Sequence, residues 1–600
     1  MKHIYWSLIL TTLFLGTGHW TSAQNLEEIG IKKGIKPSGS INLSAIGYHA
    51  WGTDNRRDPF NWFATGSLNL NLFGYNTPFT FSYSNTSRSF TQPFNQFSFS
   101  PQYKWVKSYI GYNSMTFSQY TLSGHTFLGG GVELSPGKWR IAAMYGRLKK
   151  GIPYNLQDST LNYNVAYNRM GYAWKVGYED GGNMISVSFF SAKDDIRSLP
   201  YVLPESDLTP KQNIAVSING KKTLFSHFFV EGEYAVSALD KDIRANRSDS
   251  VVQGKSSNLF GKLLPDNPTN RYFDAFAAGF GYQGNIVSLQ ARYQRVAPEY
   301  ETLGAYYFNN DMENITLAPS LKLLQSRLTL AGNVGIQYNN LDKSRAFTTK
   351  RWVSAVNVNF MPDQNWNLTG SYSNFATYTN MRPQTDPFFQ NNLDTLNFYQ
   401  ISQTFNGSAG YMFGSKEHKQ SVMLLGSYQQ TGDNSQSEGG QSSFYTANLS
   451  YSHAFSEKGA SLSGSVNYNV NTAALVKSAY WGPNVSWSQT LFNKQVRSSL
   501  ASAYNKAFTN GVVSNDVVNA RWSLSYQPKP GQSKKAAGPA VTESAQPPAS
   551  GTDTAKSKGK GFSGNQNISL GINWMKRLHS TTQQPAFSEL TATLGYTFSF

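Results

Sequence analysis

The last residues of the chain, Ser588 to Phe600, read SELTATLGYTFSF and indicate the fold class. Apolar and aromatic side chains occupy every second position, and small or polar side chains lie between them. The apolar set is Leu590, Ala592, Leu594, Tyr596, Phe598 and Phe600, and the polar set is Glu589, Thr591, Thr593, Gly595, Thr597 and Ser599. Because successive side chains of a strand point to opposite faces, this segment predicts a strand with one apolar and one polar face.

The same alternation recurs along the chain from about residue 38. Clear examples are the segments 568–574, 328–338 and 68–72. A soluble β-sandwich strand also alternates, but the predicted strands of this chain reach roughly 10–13 residues, which matches a tilted membrane-spanning strand. No continuous apolar stretch has the roughly 18 residues that a spanning helix needs. The sequence therefore predicts an all-β, transmembrane antiparallel barrel.

The connections between these segments alternate in length. Short turns are predicted at 135–137, 220–223 and 414–417, and longer polar connections lie between the turns, at 149–165, 192–209, 238–270 and 380–399. Short periplasmic turns and longer external loops are typical of outer-membrane barrels. Counting by this rule predicts about 26 strands, within a range of roughly 24 to 28, with both termini in the periplasm.

Three segments fall outside the strand pattern. Residues 1–23 have a basic start, a short apolar core and a small-residue end, which predicts a cleaved signal peptide. Residues 24–37 are expected to form a short periplasmic segment before a barrel at 38–600. Residues 528–562 are rich in Pro, Ala, Ser, Gly and Lys and poor in large apolar residues, which predicts a disordered periplasmic linker inserted between two strands.

The sequence contains no motif that indicates an enzyme. It has no cysteine, no nucleophile elbow, no zinc-binding His pair and no phosphate-binding loop, and its histidines are scattered. We therefore expect no catalytic residues, no metal and no cofactor. The net charge of +17 is not gathered into a basic and aromatic cluster, and the chain is predicted to be exported, so nucleic acid is not an expected partner.

Several polar side chains are predicted to point into the lumen. Charged groups on a lipid-facing surface cost roughly 2–4 kcal/mol near the membrane midplane. The strand pattern therefore assigns the following residues to the inner face: His125, Glu133, Arg140, Gln290 and Arg292. These residues either form ion pairs that join the wall to packed loops or form an eyelet that contacts a solute. The glycines at 129–131 predict a bend or the close approach of another backbone.

The predicted signal peptide followed by Gln24, the long aromatic-rich strands and the end of the chain at 595–600 resemble large outer-membrane β-barrels of the Bacteroidetes kind. The resemblance implies that Tyr596, Phe598 and Phe600 form the signal read by the barrel-assembly machinery. TonB-dependent receptors are similar in barrel composition, but they carry a folded plug before the barrel, whereas only residues 24–37 precede the first predicted strand here.

These features predict an integral, multi-pass protein of the cell outer membrane that acts in transport. A cylinder of 26 strands would be roughly 50 Å across, so we expect loops or a partner to occlude it. The loops at 238–270 and 380–399 are the longest candidates, with Arg140 and Arg292 as anchors. The alternative is a structural or assembly subunit of a multi-protein outer-membrane complex. Expected partners are outer-membrane lipid, the barrel-assembly machinery, and an envelope protein in the lumen or at the linker 528–562.

Overall fold

The structure is a computed structural model. It describes residues 36–72, 75–85, 94–155, 165–202, 208–245, 263–265, 267–306, 309–339, 341–343, 350–378, 399–433, 442–473, 476–528, 564–578 and 586–600. The predicted signal peptide, nearly all of the segment 24–37, the linker 528–562 apart from its first residue and most of the loop 380–399 lie outside these residues.

The described residues form 27 strand segments in one antiparallel sheet. The first fourteen segments are β1 (Lys36–Trp51), β2 (Phe60–Leu72), β3 (Tyr75–Ser84), β4 (Gln96–Phe99), β5 (Gln102–Tyr103), β6 (Val106–Thr116), β7 (Ser123–Leu134), β8 (Trp139–Lys149), β9 (Asn168–Asp180), β10 (Asn183–Asp195), β11 (Gln212–Leu224), β12 (Phe228–Asp240), β13 (Asn270–Gln283) and β14 (Val287–Val296). The remaining segments are β15 (Met312–Leu323), β16 (Leu328–Tyr338), β17 (Lys350–Phe360), β18 (Trp366–Tyr378), β19 (Tyr399–Gly414), β20 (His418–Asp433), β21 (Ser442–Phe455), β22 (Ala460–Ala473), β23 (Val476–Leu491), β24 (Val496–Thr509), β25 (Val512–Tyr526), β26 (Asn565–Arg577) and β27 (Ser588–Ser599).

The sheet closes on itself, because β1 pairs with β27 over twelve residue pairs, from Ser40–Ser599 to Trp51–Ser588. Segments β4 and β5 both lie between β3 and β6, so they are two parts of one broken strand. The barrel therefore has 26 strand positions, which confirms the predicted fold class and strand number. No helix among the described residues is long and apolar enough to cross a membrane.

The alternating segments 68–72, 328–338 and 568–574 all lie in strands, within β2, β16 and β26, but one predicted turn is wrong. The segment 220–223 lies inside β11, and the chain reverses at Phe225 and Ser226, which both have positive φ. Lys221 pairs with Glu231 on β12, so opposite charges on neighbouring strands favour continuation of the ladder where the glycine and two lysines suggested a turn.

The outward face of the barrel is apolar and aromatic. Its exposed side chains include Tyr145, Tyr172, Trp174, Phe276 and Leu594. A closed ladder leaves no unpaired sheet edge, and such an exterior is stable in lipid, where all backbone groups must pair within the protein. The protein is an integral, multi-pass β-barrel of the outer membrane.

Candidate functional site: the inner wall of the barrel

The inner face of β7 to β13 is lined by unusually small residues. Cross-strand neighbours on this face include Gly129, Gly146, Gly171, Ala173, Ala215, Ala235 and Ala275. A Cβ atom on Gly129 would lie 2.1 Å from the Tyr145 carbonyl oxygen, and one on Gly131 would lie 2.7 Å from the Met115 sulfur. Gly129 therefore permits the close approach of the Tyr145 backbone, and Gly131 permits that of the Met115 side chain. The small side chains leave room for other segments inside the wall.

Two loops occupy that room, and together they are called here the inner loop pair. One is the segment 117–122 between β6 and β7, and the other is 297–306 between β14 and β15. Tyr120 and Tyr300 are completely buried, and their rings lie 6.2 Å apart in an edge-to-face arrangement. They belong to one apolar cluster with Phe190, which points inward from β10. The loops therefore pack against the wall as a small hydrophobic core.

Hydrogen bonds join the two loops directly. The Tyr300 hydroxyl donates to the Tyr120 carbonyl at 2.7 Å, and the Thr302 hydroxyl donates to the Thr121 carbonyl at 2.9 Å. The Ser123 amide donates to the Gly304 carbonyl at 3.0 Å. Burial holds the pKa of the Tyr300 phenol well above its ordinary value, so the hydroxyl stays protonated and remains a donor.

The wall also holds the loop pair through buried polar groups. The Asn213 side-chain carbonyl on β11 accepts from the Leu303 amide at 3.1 Å. The Asn213 side-chain amide donates to the Ser237 hydroxyl at 2.8 Å, and that hydroxyl donates to the Glu301 carbonyl at 2.6 Å. Lys175 donates to the Phe117 carbonyl at 2.9 Å. These bonds satisfy backbone groups that the loops bring inside the barrel.

The sequence-predicted residues His125 and Arg292 lie beside the loop pair. The His125 ring is buried and stacks on Tyr306, with ring centroids 4.0 Å apart. Arg292 lies close enough to Tyr120 and Glu233 to interact with both. His125 therefore contacts the segment 297–306, and Arg292 lies near Tyr120 in the segment 117–122.

Three other predicted residues bond within the wall. The Glu133 carboxylate accepts from the Tyr109 hydroxyl at 2.9 Å, and the Gln290 amide donates to Glu231 at 2.8 Å. Arg140 pairs with Glu179 at 3.0 Å near the short-turn rim. The described polar contacts of Arg140 are all with the wall and its rim, so the structure does not place it as an anchor of the loop pair.

The loop predicted to occlude the lumen by its length behaves differently. In the described part of 238–270, Leu264 packs against Ala238 and Tyr272. The side chains of Ala238 and Tyr272 alternate with the inward-pointing Ala235 and Ala275, so they point outward. Residues 246–262 and 266 of this loop and nearly all of 380–399 lie outside the described residues, so occlusion by these two loops stays a prediction. The inner loop pair was not predicted, because its signal is scattered aromatic residues in short connections.

The inner face of β15 to β27 has a different character. Inward-pointing Met412, Met423 and Leu425 are 56%, 42% and 37% exposed, so no described residue covers them. Several polar inner residues pair across strands through uncharged groups, as in Ser421–Ser452, Ser463–Ser486 and Ser499–Ser523. Lys419, Arg497 and Arg521 lie on the same inner face. A cavity of about 500 Å³ lies against β16 to β20. We call β6 to β14 the packed arc and β15 to β27 the open arc.

The seam between the first and last strands is fixed at both ends. At one end the Phe600 amide donates to the Gly39 carbonyl at 3.0 Å, and the Gly39 amide donates to the Phe600 carbonyl at 2.9 Å. At the other end Glu589 accepts from the Tyr48 hydroxyl and from Arg56 Nε, both at 2.7 Å. The following aromatic residues lie on the opposite face of β27 from Glu589: Tyr596, Phe598 and, continuing the alternation, Phe600.

The described residues show no obvious metal site, since no three His, Asp or Glu side chains among them are grouped to hold an ion. No family model matches the sequence, and no curated protein is similar to it.

Several solved structures have a similar overall form. The translocation pore of the P pilus usher PapC is 10% identical, with 93% of this chain and 98% of that chain covered and a TM-score of 0.36. A ferric enterobactin receptor mutant from Pseudomonas aeruginosa is 7% identical, with 94% and 80% covered and a TM-score of 0.38. The FrpB iron transporter from Neisseria meningitidis is 10% identical, with 95% and 82% covered and a TM-score of 0.34. Similarity of this degree does not identify a family or a substrate.

Proposed function

We propose that this barrel transports hydrophilic solutes across the outer membrane through the open arc, while the inner loop pair narrows the packed arc. The observation that carries the proposal is the contrast in the inner wall. Tyr120 and Tyr300 are fully buried against one arc, whereas Met412 and Met423 in the other arc are about half exposed. An aqueous passage bounded mainly by serine, threonine and asparagine side chains is suited to water-soluble cargo.

Two measurements on purified protein test this proposal. In liposomes, entry of small neutral sugars should exceed entry into protein-free liposomes. In a planar bilayer, a stable conductance well below that of an unobstructed cylinder roughly 50 Å wide is expected, because the loop pair removes part of the cross-section. Absence of both flux and conductance would overturn the transport role. A conductance equal to that of the unobstructed cylinder would overturn the narrowing.

A second candidate is a structural or assembly subunit whose loops and lumen hold an envelope protein. The hydrogen-bonded loop pair supports this second candidate, because a loop surface held in a fixed position inside the barrel can dock another protein. This role predicts no solute flux through purified protein and a stable complex in mild detergent extracts of the native membrane.

We also propose that Tyr596, Phe598 and Phe600 are the part read by the barrel-assembly machinery, since Phe600 is bonded into the closing seam.

A further inference from the structure

We propose that the cavity against β16 to β20 is a binding site for an uncharged, hydroxyl-rich chain such as a neutral oligosaccharide. The inference names a substrate class for the proposed transport and rests on that function for its biological role. The cavity measures about 500 Å³, which is within the usual range for small-molecule sites. Its inward-pointing polar side chains are Thr329, Asn357, Asn359, Thr369, Ser371, Asn406 and Ser408.

These side chains form two rows that run across the strands. In one row Asn359 is opposite Thr369, which is opposite Ser408. In the other, Asn357 is opposite Ser371, which is opposite Asn406. Neighbouring strands are about 4.8 Å apart, a spacing close to the length of one sugar ring. Successive rings of an extended oligosaccharide laid along a row would therefore meet a polar group on each successive strand.

Part of the hydrogen-bonding capacity of the rows is already used. The Thr369 and Ser408 hydroxyl oxygens are 2.6 Å apart, and the Asn406 amide donates to the Ser371 hydroxyl at 3.2 Å. Asn357 and Asn359 are exposed to the cavity, and their side chains have no hydrogen-bond partner among the described residues. A primary amide donates through nitrogen and accepts through oxygen, so it matches adjacent hydroxyl groups that both donate and accept.

The absence of charge from this lining selects against ionic ligands. Every residue that lines the cavity is uncharged, so an anionic or cationic ligand would lose hydration without gaining an ionic partner. The inner face elsewhere is charged: Lys175, Glu233 and Arg292 lie in the packed arc, and Lys419, Arg497 and Arg521 lie in the open arc outside the cavity lining. Leu425 is the one large apolar side chain of the cavity lining that points inward.

Equilibrium dialysis of the full-length protein in detergent tests the assignment. The probes are maltohexaose, an anionic hexamer of galacturonic acid, and a neutral Gly-Ser peptide of similar length. We expect maltohexaose to bind most tightly. The double variant Asn357→Ala/Asn359→Ala should weaken its binding about tenfold or more, because each lost hydrogen-bonding amide is worth a factor of about two to twelve.

The matched control is Asn448→Ala/Asn467→Ala, which removes a bonded amide pair from β21 and β22, outside the cavity. Binding by the control should equal that of the wild type. Equal binding by the Asn357/Asn359 variant and the wild type, or tighter binding of the anionic or peptide probe, would overturn the assignment. The dialysis does not depend on a membrane, so the two proposals can fail separately. If the wild-type protein carries sugars into liposomes but binds no maltohexaose, only the sugar site is rejected. Binding without flux rejects only the transport role.

Discussion

The packed arc and the open arc belong to one continuous ladder, yet their inner faces differ in composition and in packing. In the packed arc, glycine and alanine on the wall meet aromatic residues brought in by two loops. In the open arc, serine, threonine and asparagine face the lumen and bond mainly to each other across strands. The difference shows that strand pairing alone holds a barrel wall, whereas filling the lumen requires small wall residues and large loop residues together.

The inner loop pair has no space for a side chain at Gly304. A Cβ atom there would lie 2.5 Å from the Thr121 carbonyl and 3.0 Å from the Phe190 ring. Gly304→Val should therefore displace the loop pair from the packed arc and raise single-channel conductance several-fold. The matched control is Gly426→Val, since nothing lies within 4 Å of a Cβ at Gly426, and its conductance should equal that of the wild type. An unchanged Gly304→Val channel would show that the loop pair does not limit passage.

Truncations of inward-pointing side chains compare the two arcs in stability. Phe190 is fully buried under the loop pair, so Phe190→Ala should lower the free energy of unfolding by about 3–5 kcal/mol. Leu425 points into the open arc and is exposed, so Leu425→Ala should cost less than about 1 kcal/mol. Urea unfolding in detergent micelles, followed by tryptophan fluorescence, gives both values. Similar losses at the two sites would mean that the open arc is also packed.

The seam where the open arc meets β1 predicts a smaller effect. Glu589→Gln removes a carboxylate that accepts from both Tyr48 and Arg56, and it should cost about 1–2 kcal/mol because the partners lose a charged acceptor. The gel-shift temperature of the barrel should fall modestly, and conductance should stay the same. A large rise in conductance would instead show that this seam, rather than the loop pair, controls passage.

The sequence predicted the strands of the wall far better than the loops that pack inside it. The reason is that strands follow from local patterns, whereas the loop packing depends on residues far apart in the sequence. Strand positions and number follow from local alternation and from turn length, which each segment shows on its own. The inward placement of His125 and Arg292 follows from the same alternation. The loop pair depends on contacts such as Tyr300 with Tyr120, which are separated by 180 residues. No local pattern in a single sequence records such a contact.

Site-by-site accessibility tests the contrast between the arcs most directly, because the native chain has no cysteine. Single cysteines would be introduced at Ala215 and Ala275 in the packed arc and at Leu425 and Met423 in the open arc. Leu424, which points outward, is the lipid-facing control. With a membrane-impermeant maleimide added to the outside of cells, the account predicts rapid labelling at Met423→Cys and Leu425→Cys and little at Ala215→Cys, Ala275→Cys and Leu424→Cys. Equal labelling of the two arcs would contradict it.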